Sequence, residues 1–311
     1  MTTAKVAAQH SVHSTRAALA SVALSLLLLF AKTWAAYRTS STAMLGSLAD
    51  TALDVISSFT TLLGVRIAAM PADLDHRFGH GKAEALVSLA QVVMITLSAI
   101  GIGWRAVDRL INGAETRAMG DGIAVSLLAI LFTFGLLWYQ ARVIERTGSV
   151  AIKTDNIHYK SDLFLNMTVV VALVLEQAFQ IRGADAVIGM GIALWLLWGA
   201  WRASHEAVNQ LMDREWPEQE RQEFLDAATR YPELQGLHDL RTRKSGTLRF
   251  VQFHVWVPAH WTVQEAHDRL DRVEEELQER FPGTEILIHV DPEGQTDRET
   301  LLSQKITEQA Q

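Results

Sequence analysis

The chain has 311 residues, of which 49% are hydrophobic and 20% charged, with a formal net charge of −7 and no cysteine. An acidic balance offers no electrostatic footprint for nucleic acid. Without thiols, disulfides and thiolate metal chemistry are excluded, so any metal site must be built from histidines and carboxylates.

The averages hide a split: long apolar runs extend to about residue 213, whereas Arg214–Gln311 is charged and reads as soluble. A helix of about 20 apolar residues spans the roughly 30 Å of bilayer hydrocarbon. In chain order, Ala17–Tyr37 is interrupted only by Lys32, which can snorkel from near one end. Ala43–Met70 follows and holds Asp50 and Asp54. Ala85–Trp104 and Gly122–Ala141 contain no Asp, Glu, Lys or Arg. The stretch from Thr154 to Phe179 opens with His158 and Asp162, and Ala186–Trp201 is again uncharged. We expect six crossings. More crossings follow the first, and no small-x-small cleavage site precedes a soluble domain, so a cleaved leader is the weaker reading of the N-terminus. Polar joints lie at 71–82, 112–121 and 142–153.

An even number of crossings puts both termini on one side. That side carries Lys5, Arg16, Arg77, Lys82, Arg142, Arg146, Lys153 and Arg214, against Arg38, Arg105, Arg109, Arg117 and Arg182 on the other. The positive-inside bias makes the termini cytoplasmic.

After Asp213 the pattern changes. Pro217–Tyr231 reads as an amphipathic helix with proline near its first turn. Gly236–Arg243 and Leu248–Val257 read as strands, the second largely alternating Phe250, Val251, Phe253, Val255 and Val257 with Gln252, His254 and Trp256. Thr262–Phe281 is a charged amphipathic helix in which Thr262 and Glu265 are spaced as a capping box, and Ile286–His289 is a short last strand. The order αββαβ predicts a small α+β domain with helices over one face of a sheet. The expected division is 1–213 for the all-α membrane domain, 214–292 for the α+β domain and 293–311 for a polar, disordered tail.

Ionisable groups at bilayer depth cost roughly 2.5–3.5 kcal/mol each on insertion scales and are functional candidates by default. Asp50 and Asp54 are four residues apart, as are His158 and Asp162, so each pair occupies one helix face one turn apart. Two adjacent helices would bring four N/O ligands to one point, enough for a tetrahedral Zn²⁺ or Fe²⁺ site, with Asp155 and Asn156 at its edge. The plain alternative is snorkelling carboxylates, or pairing with Arg66 and Lys160. In the first polar joint Asp73, Asp75, His76 and His80 either form a hydrophilic turn or hold an ion, with Asp73, His76 and His80 as its ligands. The soluble part adds His238, His254, His267, His289 and Asp291, while His10, His13, His205 and His260 read as structural or exposed.

The run Leu48-Ala49-Asp50 with Asp54, the loop Pro-Ala-Asp-x-x-His-x-Phe-Gly-His-Gly-Lys-Ala-Glu at 71–84, His158-x-x-x-Asp162 and Leu211-Met212-Asp213-Arg214-Glu215 resemble the cation diffusion facilitators. The likeness is greatest to their bacterial ferrous-iron/zinc efflux branch, and it covers about residues 12–292. It implies a homodimeric, proton-coupled metal antiporter of the bacterial inner membrane, with six transmembrane helices and a ferredoxin-like, metallochaperone-like cytoplasmic domain. It implies a transport site at Asp50, Asp54, His158 and Asp162, and a second site at Asp73, His76 and His80. It further implies a cytoplasmic binuclear site of His238, His254, His267, His289 and a bridging Asp291, and a charge interlock between Lys82 and Asp213 at the dimer joint. Three Asp and one His resemble the zinc, iron and cadmium members.

The expected mechanism is alternating access in which metal and protons compete. Metal binding needs neutral histidine and ionised aspartate and so releases protons. Imidazole, with an ordinary pKa of about 6.5, makes His158 the natural proton carrier. Zn²⁺, or Fe²⁺ or Cd²⁺, is then cargo and structural ion, and no organic cofactor is expected. A membrane-anchored metal sensor or scaffold is the alternative. An enzyme is not expected, since no His-Glu-x-x-His run pairs a zinc site with a general base.

Overall fold

Apolar runs of this length become helices in a bilayer because every backbone amide must be satisfied within its own segment. In a computed structural model of the chain, the description covers residues 3–39, 42–112, 120–179 and 184–294. Six long helices come first: α1 (Thr3–Thr39), α2 (Thr42–Ala68), α3 (Ala83–Asn112), α4 (Gly120–Thr147), α5 (Val150–Phe179) and α6 (Ala184–Leu211). Among the described residues, five stretches are long and apolar enough to cross a membrane: His10–Trp34, Thr51–Ala68, Ala83–Asp108, Leu127–Thr147 and Ala186–Leu211. The remaining helix, α5, carries Lys153, Asp155, His158, Lys160 and Asp162 in its first half, and its side chains from residue 168 onward lie outside the described residues. The chain forms two compact units: residues Ala8–Met212 make up the first, and the chain from Asp213 onward belongs to the second.

The outward faces of the first unit are apolar, with Phe30, Trp34, Leu97, Trp104, Phe134 and Trp201 exposed. Its interior combines apolar packing with polar side chains, Ser21, Ser58, Thr61, Gln91, Gln140 and Asp155 among the buried ones. That arrangement suits a hydrocarbon solvent, where polar side chains bond across helices. Small residues bring the backbones together. Ala17 and Ala18 of α1 pack with Leu62 and Val65 of α2, Val143 of α4 and Ala151 of α5. Ile95 and Ala99 of α3 pack with Leu196 and Ala200 of α6. At Gly64 a Cβ would lie 2.4 Å from Val87 Cγ2, so α2 approaches α3 there only because the residue is glycine.

The second unit comprises α7 (Glu218–Ala228), β1 (His238–Ser245), β2 (Leu248–Val257), α8 (Val263–Arg280) and β3 (Thr284–Pro292). The order is αββαβ, and the sheet runs β1-β2-β3 with the first pair antiparallel and the second parallel. Val251, Phe253, Val255 and Ile286 face Phe224 of α7 and Leu270, Val273 and Leu277 of α8. Phe224 stands edge-on to Trp216, with centroids 6.3 Å apart. Thr262 and Glu265 form the capping box, with Glu265 N donating to Thr262 Oγ1 at 3.2 Å and Thr262 N to Glu265 Oε2 at 2.8 Å.

Boundaries differ from the sequence reading where pairing or turns decide them. β1 starts at His238, because Gly236 has φ 62° and leaves the strand path, and it runs on to Ser245 opposite Leu248. β3 is longer than Ile286–His289, because parallel pairing continues from Arg249↔Thr284 to Val257↔Pro292. α7 ends before Tyr231, where turn bonds from Tyr231 N to Ala228 O and Leu234 N to Tyr231 O take over. The polar tail lies outside the described residues from 295 onward, as does most of the 112–121 joint.

Candidate metal centres

Three groups of side chains present converging ligand atoms. In the first, Asp54 comes from α2, and His158 and Asp162 come from successive turns of α5. His158 Nε2 lies 3.2 Å from Asp54 Oδ1 and 3.8 Å from Asp162 Oδ2. Their ligand atoms all lie within 4.8 Å of one another. Two carboxylates around one imidazole nitrogen need positive charge between them, either a proton on the ring or a cation in its place. Asp50 sits one turn before Asp54 on α2; its side chain lies outside the described residues.

The second group is the loop between α2 and α3. Asp73 Oδ1 accepts from His76 N at 2.6 Å and Asp75 N at 3.0 Å, a local turn that orders the carboxylate. Those bonds, the one from His76 N foremost, hold the Asp73 carboxyl below its ordinary range. His80 Nδ1 donates to Pro71 O at 3.2 Å, which leaves its Nε2 lone pair facing Asp73 Oδ2 at 3.3 Å. His76 Nδ1 is 3.3 Å from Asp73 Oδ1. Gly79, with φ 77°, makes the reversal that brings the two imidazoles to 4.5 Å between centroids, tilted by 43°. Asp73, His76 and His80 converge; Asp75 joins them only through its amide.

The third group lies on the sheet face opposite the apolar core. Strand register aligns His238 of β1 with His254 of β2, and His254 with His289 of β3. His254 Nδ1 is 2.9 Å from Asp291 Oδ2, His238 Nε2 is 3.3 Å from the same oxygen, and His289 Nε2 is 3.6 Å from Asp291 Oδ1. His238 Nδ1 must donate to Gly236 O at 2.7 Å, since a carbonyl only accepts. Its buried Nε2 is then a lone pair with no hydrogen-bond partner. An orphaned imidazole nitrogen beside a buried carboxylate fits a divalent metal, with the Gly236 carbonyl orienting the ring from behind. His238, His254 and Asp291 converge within 4.8 Å. His289 stands at their rim, whereas His267 is exposed on α8, outside the groups that converge among the described residues.

Sequence reasoning missed Asp239, whose Oδ2 is 3.8 Å from His254 Nε2 and which Arg241 grips at 2.8 and 3.2 Å. Asp239 has φ 48° and sits at a register shift between His238 and Arg241, a bulge that alternation alone does not reveal. Lys82 Nζ donates to Leu211 O at the end of α6, at 3.2 Å. Asp213 Oδ1 is 3.6 Å from Arg243 Nη1 in the second unit.

Comparison with known proteins decides the family. Residues 18–212 match the cation efflux transmembrane domain, and residues 216–293 match the cytoplasmic domain of cation efflux proteins. The chain belongs to the cation efflux family, the cation diffusion facilitators. This cation efflux protein is 39% identical over 277 residues to the cation-efflux pump FieF of Klebsiella pneumoniae subsp. pneumoniae, covering 89% of this chain and 92% of that protein. It is 41% identical over 276 residues to the cation-efflux pump FieF of Serratia proteamaculans, again 89% and 92% of the two chains. The metal-bound C-terminal domain of the CzcD transporter from Thermotoga maritima is 24% identical, with a TM-score of 0.25, over 26% of this chain and 100% of that one. Members of the family are transporters, not enzymes, and this cation efflux protein is a membrane protein with several apolar helices.

Proposed function

We propose that this protein exports a divalent metal ion, Zn²⁺, Fe²⁺ or Cd²⁺, in exchange for protons by alternating access. It acts as a homodimer in a bacterial inner membrane, with six crossings, cytoplasmic termini and a ferredoxin-like cytoplasmic domain over 214–292. One observation carries the reading: His158 Nε2 stands between the carboxylates of Asp54 and Asp162, inside a bundle whose outer faces are apolar.

That geometry supports an exchange of metal for protons. With no metal between the carboxylates, a proton on His158 supplies the compensating charge. A divalent ion takes over that role only when the imidazole gives up its proton, so each ion bound releases protons and each proton bound expels the ion. Asp50, one turn before Asp54, completes a tetrahedral set of three carboxylates and one imidazole. The loop group and the sheet-face group belong to separate polar regions; they hold structural or sensing ions, with Lys82 and Asp213 as the dimer interlock.

The test is metal uptake by proteoliposomes under an imposed pH gradient. Wild-type protein should move Zn²⁺ or Cd²⁺ against protons, and Asp54→Ala should abolish that flux. Metal binding without metal-dependent proton movement in the wild type would identify a sensor or scaffold instead, and unchanged flux in Asp54→Ala would remove Asp54 from the path.

A further inference from the structure

Asp155 lies on α5 one turn before His158, on the same helix face as His158 and Asp162, and it is fully buried. Its Oδ2 accepts from Ser21 Oγ at 2.7 Å and Gln140 Nε2 at 2.8 Å. Its Oδ1 accepts from Thr61 Oγ1 at 3.2 Å and Gln91 Nε2 at 3.3 Å. The four donors come from α1, α4, α2 and α3, so one carboxylate ties five helices together. An outer layer fixes the donors themselves: Gln140 Nε2 also reaches Ser21 Oγ at 3.0 Å, and Asn156 Nδ2 donates to Gln140 Oε1 at 3.1 Å. Next along the helix, Tyr159 Oη donates to Ser21 O at 2.9 Å.

A buried carboxylate is a poor source of stability, because apolar side chains of similar volume pack a core as well or better. What four directed hydrogen bonds supply is register. A helix advances about 1.5 Å and turns about 100° per residue, so a slip of one residue on α5 would carry His158 and Asp162 off the face that meets α2. Apolar ridges tolerate such a slip far better than a carboxylate whose four donors sit on four different helices.

We infer that Asp155 is a positioning residue for the metal site: it sets the depth and rotation of α5 so that His158 and Asp162 meet Asp54. The inference rests on reading the Asp54–His158–Asp162 group as the transport site. Asp155 touches neither cargo nor proton; it acts through the placement of α5.

The test uses full-length protein and Co²⁺, whose visible absorption is intense in tetrahedral sites and weak at higher coordination. For each protein, subtracting the spectrum of the same protein carrying Asp54→Ala isolates the transmembrane site. In Asp155→Asn the difference band should lose at least half its intensity, and Co²⁺ affinity at that site should fall tenfold or more, while metal bound by the cytoplasmic cluster stays unchanged. Asp155→Asn combined with Gln140→Glu, which moves the carboxylate across the same hydrogen bond, should recover much of the band. A folded Asp155→Asn protein with wild-type band and affinity overturns the inference. If Asp155→Asn does not fold, Ser21→Ala, which removes one donor, is read the same way, and wild-type affinity there overturns it equally. If Asp54→Ala leaves the wild-type spectrum unchanged, the transport-site reading itself fails, and this inference with it.

Discussion

His238 Nε2 and Asp291 Oδ2 face each other at 3.3 Å as two acceptors, because His238 Nδ1 already gives its hydrogen to the Gly236 carbonyl. Bare acceptors at that distance repel unless a proton or a metal ion lies between them. The backbone enforces the arrangement: Gly236 has φ 62°, and a Cβ there would lie 2.3 Å from Trp256 Cε3. The carbonyl that orients His238 therefore depends on a residue only glycine can occupy.

Removing one ligand from this cluster should separate metal loading from transport. In His254→Ala the site loses the imidazole nearest Asp291, and its metal affinity should fall at least about 10-fold, the scale on which even outer partners of a metal ligand act. Elemental analysis should find fewer ions per chain, while proteoliposomes keep part of the wild-type flux. Complete loss of flux from a folded His254→Ala protein would place this cluster in the conduction path.

The loop group should keep its carboxylate ligand ionised well below neutral pH. Bonds from the His76 and Asp75 amides hold the Asp73 carboxyl below its ordinary range. Asp73 is depressed in the folded loop, so the order it gives is present above its unfolded pKa and is lost as pH falls through its lower folded value. Over the neutral to mildly acidic range Asp73 therefore stays ionised and able to bind an ion. Calorimetric titration of metal into a protein lacking the other two clusters, over neutral to mildly acidic pH, reads this. Asp73→Asn should weaken binding at every pH across that range; wild-type affinity in Asp73→Asn would remove Asp73 from the ligand set.

Glu84 holds the start of the helix that carries His158. It is 3% exposed, and its Oε2 accepts from Ser149 Oγ at 2.7 Å and Val150 N at 3.1 Å, capping α5 from α3. Glu84→Ala leaves those buried donors unsatisfied and should cost on the order of 1–3 kcal/mol. Glu84→Gln, which keeps an acceptor, should cost less. Thermal unfolding in detergent reads both, and equal melting temperatures for Glu84→Ala and wild type would show that the cap is dispensable.

Much of this molecule is legible in one dimension, because bilayer crossing and sheet alternation are local constraints. Runs such as Ala85–Trp104 must be helices in hydrocarbon, and Leu248–Val257 alternates because one face packs on α7 and α8. Spacing alone puts Asp50 with Asp54, and His158 with Asp162, on common helix faces. The loop residues Asp73, His76 and His80 are likewise close in sequence and need only Gly79 to turn back on themselves.

Tertiary structure decides what spacing cannot. His158 had Lys160 and Arg66 as alternative neighbours for its acidic partners, and only the packing of α2 against α5 sets its Nε2 at 3.2 Å from Asp54. Asp239 enters the sheet-face group through a bulge and a left-handed φ, neither of which hydrophobic alternation encodes. Asp155 read as an edge residue of the site, yet its four donors are drawn from residues 21, 61, 91 and 140, and no periodicity relates them. The sequence by itself determined which residues share a turn or a strand face, because those relations follow from helix and strand geometry. Which turns and faces meet depended on side-chain packing among helices far apart in the chain, and that was settled only in three dimensions.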